Sequence, residues 1–263
     1  MANFDKFKSE LYQEHNNLRK NPQSYIPILE KELTQLRDKI LYRPGETPLQ
    51  LTEGKSAYED AINFLKKQIA VSELKVNNHL EEAAQSHAKD AGDNGLLSHE
   101  GSDSRNVSDR VEDHCEWNEA LGENIDFGSK NAQQVIVSLL TDDGVLSRPH
   151  RQHIFNPAYK HFGIGIAKHK DHETVVVIDY AGDIREKGTA FYDYDSYRYE
   201  YPEPKERVIK NAFQENDPDA PDDTVAVRLE KTTKFYKGRA VKVTKKCYTL
   251  KNGTQHIVEV EDI

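Results

Sequence analysis

The sequence predicts an α+β protein in which helices flank a short antiparallel sheet. Apolar residues recur at helical spacing over much of the first 140 residues, whereas residues 162–167 and 174–180 form two β-rich segments separated by a polar turn. Every position from 175 to 178 is β-branched, which is typical of a strand buried on both faces. Helices and strands segregated in this way favour a layered domain.

Four helices are predicted in the first 95 residues, because apolar side chains recur every three or four positions. Their apolar faces consist of Phe4, Phe7, Leu11 and Leu18; Tyr25, Leu29, Leu33, Leu36 and Ile40; Tyr58, Ala61, Phe64, Leu65 and Ile69; and Leu80, Ala83, Ala84, His87 and Ala91. Pro22 suits the start of the second helix, residues 42–45 break it, and the fourth ends near Gly92 and Gly95. A fifth helix is predicted over 132–140.

The composition changes beyond residue 184, and we predict three parts. They are a main domain over 1–184, a tyrosine-rich and acidic linker over 185–224, and a small β-hairpin extension over 225–263. In the extension, alternating residues predict strands at 225–229, 240–243, 247–250 and 257–260, with Asn252-Gly253 as a type I′ turn.

The composition excludes several classes of protein. Lys and Arg number 36 against 45 Asp and Glu, and the net charge of −9 disfavours nucleic acid as the main partner. Two cysteines, Cys115 and Cys247, are too few for a disulfide-rich secreted scaffold. The first twenty residues contain no apolar segment typical of a secretory signal, and no segment resembles a transmembrane helix. We therefore expect a cytoplasmic protein.

Four polar segments contain the candidates for chemistry, because together they offer two imidazoles and several carboxylates. They are Leu97-Ser98-His99-Glu100, Gly122-Glu123-Asn124-Ile125, Leu140-Thr141-Asp142-Asp143-Gly144 and Arg148-Pro149-His150-Arg151. Only the tertiary fold would bring residues so distant in sequence together. Neutral imidazole is the commonest metal ligand, and carboxylates ligate metals or orient the rings. If the fold brings them together, such a set can ligate a metal or polarise a water molecule.

Several short motifs occur in a characteristic order between about Leu11 and Gly182. They are His15-Asn16-Asn17-Leu18-Arg19; Asn78-His79-Leu80 with His87-Ala88; Ser98-His99; Gly122-Glu123-Asn124-Ile125; His150-Arg151 with Ile154-Phe155-Asn156-Pro157; and Gly163-Ile164-Gly165. In this combination the chain resembles the CAP superfamily (SCP, or sperm-coating-protein-like, domains), which includes cysteine-rich secretory proteins, insect venom antigens and plant pathogenesis-related proteins. The resemblance implies a three-layer α-β-α sandwich, here with extra N-terminal helices.

The resemblance also implies a central cleft with a His/Glu/Glu/His tetrad, which falls on His99, Glu123, Asp142 and His150. Asp142 is one methylene shorter than the usual glutamate, and Pro149 stands where a glycine is usual, which stiffens that loop. Members of the family bind lipids or sterols, proteins, or divalent ions. Because the signal and disulfides of secreted members are not found, an intracellular type of member is expected.

Plainer interpretations of these residues stay open. His99 and His150 would bond loop backbone rather than a metal, Glu123 would cap a helix, and Asp142 and Asp143 would be turn acids. His15 is expected to be a packing residue of the first helix. Four further histidines are expected on surface loops: His153, His161, His169 and His172.

Two segments of the last third are candidates for binding a partner. The first contains Tyr192, Tyr194, Tyr197, Tyr199 and Tyr201, which are either exposed rings of an edge strand or anchors of a protein interface. Residues 231–251 contain eight Lys and Arg, including Lys242, Lys245 and Lys246, and no acid. This second segment is either a solvated strand face or a dock for an acidic surface such as a tubulin tail.

From these features we predict a non-catalytic binding or assembly module. It would dock through its C-terminal extension onto a larger protein complex, with a cytoskeletal or ciliary complex as one candidate. One alternative is a metal-dependent hydrolase, in which His99 and His150 would hold Zn²⁺, Glu123 would be the general base and Asp142 would orient a ring. The other alternative is a carrier of lipid or sterol. No nucleophile with a base beside it is assignable, which favours the non-enzymatic interpretation.

Overall fold

The computed structural model describes residues 4–188 in full, and beyond them the backbone of three strands. The chain divides into two compact units, Met1–Phe191 and Tyr192–Ile263. Within the described residues, no helix is both long and apolar enough to cross a membrane.

The first unit contains seven α-helices and seven strands among its described residues. The helices are α1 (Phe4–Lys20), α2 (Ile26–Leu33), α3 (Lys55–Lys67), α4 (Asn78–Asn94), α5 (Val107–Glu112), α6 (Ala132–Thr141) and α7 (Pro149–Ile154), with a 3₁₀ turn at Pro22–Tyr25. The strands are β1 (Leu36–Arg37), β2 (Ile40–Leu41), β3 (Leu49–Gln50), β4 (Lys75–Val76), β5 (Glu116–Phe127), β6 (His161–His169) and β7 (Glu173–Arg185).

The main sheet has the strand order β4-β6-β7-β5. The β5–β7 and β6–β7 pairs are antiparallel, and only the short β4 runs parallel to its neighbour. β7 lies between β6 and β5, and residues 175–178 are fully buried, which confirms the sequence prediction. Strand β5 lies at the edge of the sheet, where loops and helices from both layers reach it.

Helices cover both faces of this sheet, as expected for a three-layer α-β-α sandwich. On one face Val176, Ile178 and Tyr180 of β7 pack with apolar side chains of α1 and α6. On the other face, Val175 and Val177 pack against the alanines of α4. Alternate residues of β7 thus enter opposite cores, which follows from the two-residue period of a strand.

Glycines allow α4 to lie directly on β6. A Cβ at Gly163 would come within 2.1 Å of Glu81 N, and one at Gly165 within 2.3 Å of Ala84 C. From the helix side, a Cβ at Gly92 would come within 2.1 Å of Lys168 O. The Gly-Ile-Gly motif is therefore a backbone-to-backbone contact surface, and it fixes the height of α4 above the sheet.

The structure corrects several sequence predictions. Helix α2 ends at Leu33, and Leu36 and Ile40 lie instead in β1 and β2 of a small three-stranded sheet, joined by a turn with Asp38 at φ 54°. Ile69 lies beyond α3 and is 76% exposed. Strand β5, together with α5 and α7, was not predicted at all, because residues 116–127 are too polar to show an alternating pattern.

The second unit is described only through its backbone. Strands β8 (Thr224–Tyr236), β9 (Arg239–Leu250) and β10 (Gln255–Glu261) form an antiparallel sheet in the order β10-β9-β8. The β-rich extension is thus confirmed, although 240–243 and 247–250 belong to one strand. The tyrosines from 192 to 201, the linker up to residue 223 and Asn252-Gly253 lie outside the described residues. The three domain boundaries stay a prediction.

Candidate functional site

The candidate site is built around Glu123 on the edge strand β5. Its side chain is only 2% exposed, and each carboxylate oxygen has its own donor. His99 Nδ1 donates to Oε1 at 2.7 Å, and Arg110 Nη2 of α5 donates to Oε2 at 2.6 Å. The His99 ring itself is 58% exposed. Glu123 thus holds an exposed imidazole in a fixed orientation from a buried position.

The pKa of Glu123 reflects opposing effects. Burial by itself raises this pKa, but the hydrogen bond from His99 and the charge of Arg110 outweigh burial, and the net direction is downward. Glu123 is therefore a carboxylate near neutral pH.

Asp142 and His150 form a second carboxylate–imidazole pair. His150 Nδ1 donates to Asp142 Oδ1 at 2.6 Å, and the backbone N–H of His150 donates to Oδ2 at 2.9 Å. Asp142 occupies the C-cap of α6 with φ 53°, in the left-handed region that aspartate tolerates better than most residues. Although Asp142 is one methylene shorter than glutamate, it reaches His150 because the chain turns sharply at this cap.

His153 links the two pairs, and the sequence assigned it wrongly to a surface loop. It lies half-buried on α7, one turn beyond His150, and its Nδ1 donates to the backbone O of Glu123 at 3.2 Å. Burial is the main cause that lowers the pKa of His153. The structure thus brings all four predicted residues to the same edge of β5, with a fifth polar residue between them.

Four other histidines that the sequence singled out lie outside the candidate site. His15 is fully buried as a packing residue of α1, where it hydrogen-bonds to Tyr180 Oη at 2.9 Å. Buried Asn124 donates both to Tyr180 Oη and to the backbone O of His150, so this chain of hydrogen bonds connects α1 with the site. His161 and His169 lie on β6 rather than in loops, and only His172 lies in an exposed turn.

A buried acid lies opposite Glu123. Asp179 of β7 is its cross-strand partner and is fully buried. Burial, followed by the negative charge of Glu123, raises the pKa of Asp179 well above its usual range. Neither carboxyl oxygen of Asp179 makes a hydrogen bond of acceptable geometry within the described residues, so the neutral acid is the form that fits this position.

An interlocked pair of loops holds the helix that carries His150. Asp143 accepts from the backbone N–H groups of residues 52, 53 and 54 at 2.5, 2.9 and 3.0 Å. In return, Glu53 accepts from Gly144 N at 2.8 Å and binds Arg148 through both oxygens at 2.6 and 2.7 Å. We call these three side chains, Glu53, Asp143 and Arg148, the loop clamp. Asp143 is thus a loop acid, as one interpretation of the sequence held.

The site partly meets the requirements of a metal. In both pairs the carboxylate engages Nδ1, which is the orientation that prepares Nε2 of a histidine for a metal. However, within residues 4–188 no group of three or more His, Cys, Asp or Glu side chains is arranged to hold an ion. A divalent ion would thus be held by two imidazoles, and water would have to complete its coordination.

Sequence reasoning predicted the four residues of the tetrad, whose functional role stays a prediction, and it did not predict three residues around them. Arg110 lies on α5 and His153 lies on α7, and neither helix was predicted. Asp179 lies on β7, which was predicted only as a buried strand. The only signal for Asp179 was an acid inside an otherwise apolar strand, since buried carboxyls are rare and need a partner.

Comparison with known proteins identifies the family. The CAP family model (cysteine-rich secretory protein family) matches residues 12–180. The chain therefore belongs to the CAP family, and its helix–sheet–helix architecture agrees with that assignment.

Two solved structures are similar to this chain. An outer surface protein from Borrelia burgdorferi is 18% identical with a TM-score of 0.37, and the match covers 42% of this chain and 78% of that one. An extracellular protein containing an SCP domain, from Bacillus anthracis, is 20% identical with a TM-score of 0.35, and the match covers 43% of this chain and 35% of that one. A search of curated proteins gave no match.

Proposed function

We propose that this CAP-family protein is a non-catalytic binding module that docks through its C-terminal extension onto an acidic protein surface. The observation that carries the proposal is the distribution of charge. Residues 231–251 carry eight positive charges and no negative ones, while the whole chain has a net charge of −9. The remainder of the chain therefore carries −17. Such a separation steers an acidic partner to one segment and repels it from the rest.

Part of this basic segment lies on a regular strand. Lys242, Lys245 and Lys246 lie on β9, the central strand of the β10-β9-β8 sheet, where Lys242 and Lys246 are at positions of one face and Lys245 is at a position of the other. An acidic tail of a cytoskeletal protein such as tubulin is the kind of partner that this charge would attract, and a cytoplasmic location would follow from such a partner. The tyrosines at 192, 194, 197, 199 and 201 would add aromatic contacts.

Charge reversal on β9 is expected to weaken binding to an acidic peptide. In the full chain, replacing Lys242, Lys245 and Lys246 with Glu should weaken retention on immobilised polyglutamate about tenfold or more at low salt, because attraction becomes repulsion. The arginine triple variant keeps the charge and should bind like the wild type. Pull-down with the acidic peptide at two salt concentrations measures this effect.

A matched control separates a local effect from net charge. Replacing exposed Lys31, Lys66 and Lys67 with Glu changes the net charge equally, but in the first unit. This variant should retain most of its binding. Equal losses in the two charge-reversed variants, or full retention in the β9 variant, would contradict the docking proposal.

A second candidate function is divalent-metal binding by His99 and His150, which the two carboxylate–imidazole pairs favour. A Zn²⁺ ion would supply Lewis acidity in an open cleft. The chain favours binding over hydrolysis, since both oxygens of Glu123 are engaged and its pKa is lowered, which makes it a weak general base. The lipid or sterol alternative stays a prediction from the sequence.

Zinc binding in this cleft should depend on both imidazoles. Calorimetric titration with Zn²⁺ is expected to show affinity reduced at least about tenfold in His99→Ala and in His150→Ala, since each removes one ligand. His172→Ala removes an exposed histidine of the polar turn and serves as the matched control. If all three variants bind like the wild type, the metal assignment to this cleft is wrong.

A further inference from the structure

A buried carboxyl group lies next to the candidate site, and none of the functions above uses it. Asp179 lies on β7, where its partners across the sheet are Glu123 of β5 and Gly163 of β6. Residues directly opposite each other in an antiparallel pair point to the same face, with their Cβ atoms about 4.5–5.5 Å apart. The carboxyl groups of Asp179 and Glu123 are therefore neighbours.

These two acids have contrasting surroundings. Glu123 accepts hydrogen bonds from His99 Nδ1 at 2.7 Å and from Arg110 Nη2 at 2.6 Å, and both stabilise its negative charge. Asp179 is fully buried, and neither of its oxygens has a donor in the part of the chain that the structure describes. A buried carboxylate without a donor is much more costly than a neutral carboxyl group. Of the two acids, Asp179 is therefore the one that suits a proton.

The elements packed around Asp179 do not supply the missing donor. Its partner on β6 is a glycine, and burial lowers the pKa of His87 on α4, whose Nε2 donates to a backbone oxygen. The charge of Arg110 on α5 lowers the pKa of Asp179, but burial and the charge of Glu123 outweigh this effect. The acids of α4 bond elsewhere: Glu81 to Lys8 and Tyr12, Glu82 to His114, and Asp90 to Ser102.

We propose that Asp179 is a positioning residue of the candidate site, with a protonated carboxyl group that donates a hydrogen bond to the Glu123 carboxylate. Each oxygen of Glu123 has a second lone pair, so it can accept this bond in addition to those from His99 and Arg110. Two carboxyl groups in contact do not both ionise, and the pair retains one proton. A third donor restricts the rotation of the Glu123 carboxylate, and with it the orientation of the exposed His99 ring.

The retained proton also balances the charge of this part of the site. With the proton, Asp179 and Glu123 together carry one negative charge, which matches the positive charge of the buried Arg110 side chain. Without the proton, a second negative charge would be buried with no partner of its own. The hydrogen bond to Glu123 is therefore expected to hold at neutral pH and to be lost as pH rises through the raised pKa of Asp179.

Carbon-13 NMR of the full chain, labelled at the carboxyl carbons of Asp and Glu, measures the protonation directly. At neutral pH the Asp179 carbon should have the chemical shift of a protonated acid, and the Glu123 carbon that of a carboxylate. The variants Asp179→Asn and Glu123→Gln assign the two resonances. An ionised Asp179 or a protonated Glu123 at neutral pH would overturn the proposal.

Two replacements of Asp179 test the hydrogen bond to Glu123. Asparagine keeps a neutral N–H donor, whereas leucine has a similar size and no donor. The Glu123 carboxyl carbon and the His99 ring nitrogens should therefore shift in Asp179→Leu and stay near their wild-type values in Asp179→Asn. Asp126→Asn is the matched control, since Asp126 is also a buried acid of the sheet but lies opposite Val176, and it should leave both signals in place. Equal shifts in the two Asp179 variants, or none in either, would rule out this bond.

The pH dependence of stability is a second measurement, and it does not need the leucine variant. The folded pKa of Asp179 lies above the unfolded value of about 3.9, so the folded wild type retains a proton that the unfolded chain loses. Wild-type stability should therefore fall, relative to that of Asp179→Asn, as pH rises from about 4 toward the folded pKa. Urea unfolding midpoints of the two chains over this range measure the effect. Parallel pH profiles would overturn the protonated state.

Discussion

Replacing Gly165 with alanine is expected to destabilise the first unit by about 3 kcal/mol or more, the upper end for overpacked cores. The added Cβ would lie 2.3 Å from both C and O of Ala84 and 2.4 Å from Gln85 N. These atoms belong to the backbone of α4, so no side-chain rotation relieves the clash. The helix would have to move away from β6, which would also open its contacts with Val175 and Val177.

Equilibrium unfolding in urea, followed by circular dichroism, measures this loss for the full chain. Gly45→Ala is the control, since Gly45 has φ 78° and no neighbouring atom within 4 Å of an added Cβ. The Gly45→Ala variant introduces backbone strain without crowding, and it should lower the free energy of unfolding by about 1 kcal/mol. If Gly165→Ala were no more destabilised than Gly45→Ala, the close approach of α4 to the sheet would be wrong.

Local sequence patterns predicted the elements whose stability comes from apolar periodicity. This periodicity is clear in four helices and two strands: α1, α3, α4, α6, β6 and β7. In the structure these elements begin and end within a few residues of the predicted bounds. The pattern failed where polar side chains are buried by partners from distant parts of the chain. Strand β5 is the main case, because Glu123 and Asn124 are buried only through contacts with Arg110, His99 and Tyr180.

The tetrad is a prediction from family motifs, whereas the contacts around its residues could not be predicted from the sequence. The motifs identify His99 and His150, but nothing in the sequence shows that Asp142 reaches His150 through a left-handed C-cap. The contacts of the loop clamp could not be predicted from the sequence either, since Glu53 lies about 90 residues before its partners in the chain. Such contacts depend on tertiary placement, which local propensity does not encode.

Removing the charge of Glu53 is expected to loosen the helix that carries His150. Glu53→Gln should cost about 2 kcal/mol, because a bidentate pair that is only 12% and 17% exposed loses its charge assistance. Arg148 also donates to Asp142 O at 2.7 Å. Weakening the Glu53–Arg148 pair should therefore let Arg148 move and disturb the Asp142–His150 pair. Urea unfolding and the His150 ring resonance in NMR measure the two effects.

Glu59→Gln is the matched control, since Glu59 lies on α3 in an exposed pair with Lys55 and should cost less than about 0.5 kcal/mol. If both variants unfolded alike with an unchanged His150 resonance, the loop clamp would not position the site.

The effect of Glu53 should also depend on pH, with a definite sign. The hydrogen bond from Arg148 is the main cause that lowers the pKa of Glu53 from 4.5 to about 2 in the folded chain. Because the folded pKa lies below the unfolded one, this contribution to stability is fully present above about pH 4.5 and is lost as pH falls toward 2. The stability difference between wild type and Glu53→Gln should therefore be largest near neutral pH and shrink in acid. A difference that stayed constant from pH 7 to about pH 2.5 would assign the effect to the shape of the side chain rather than to its charge.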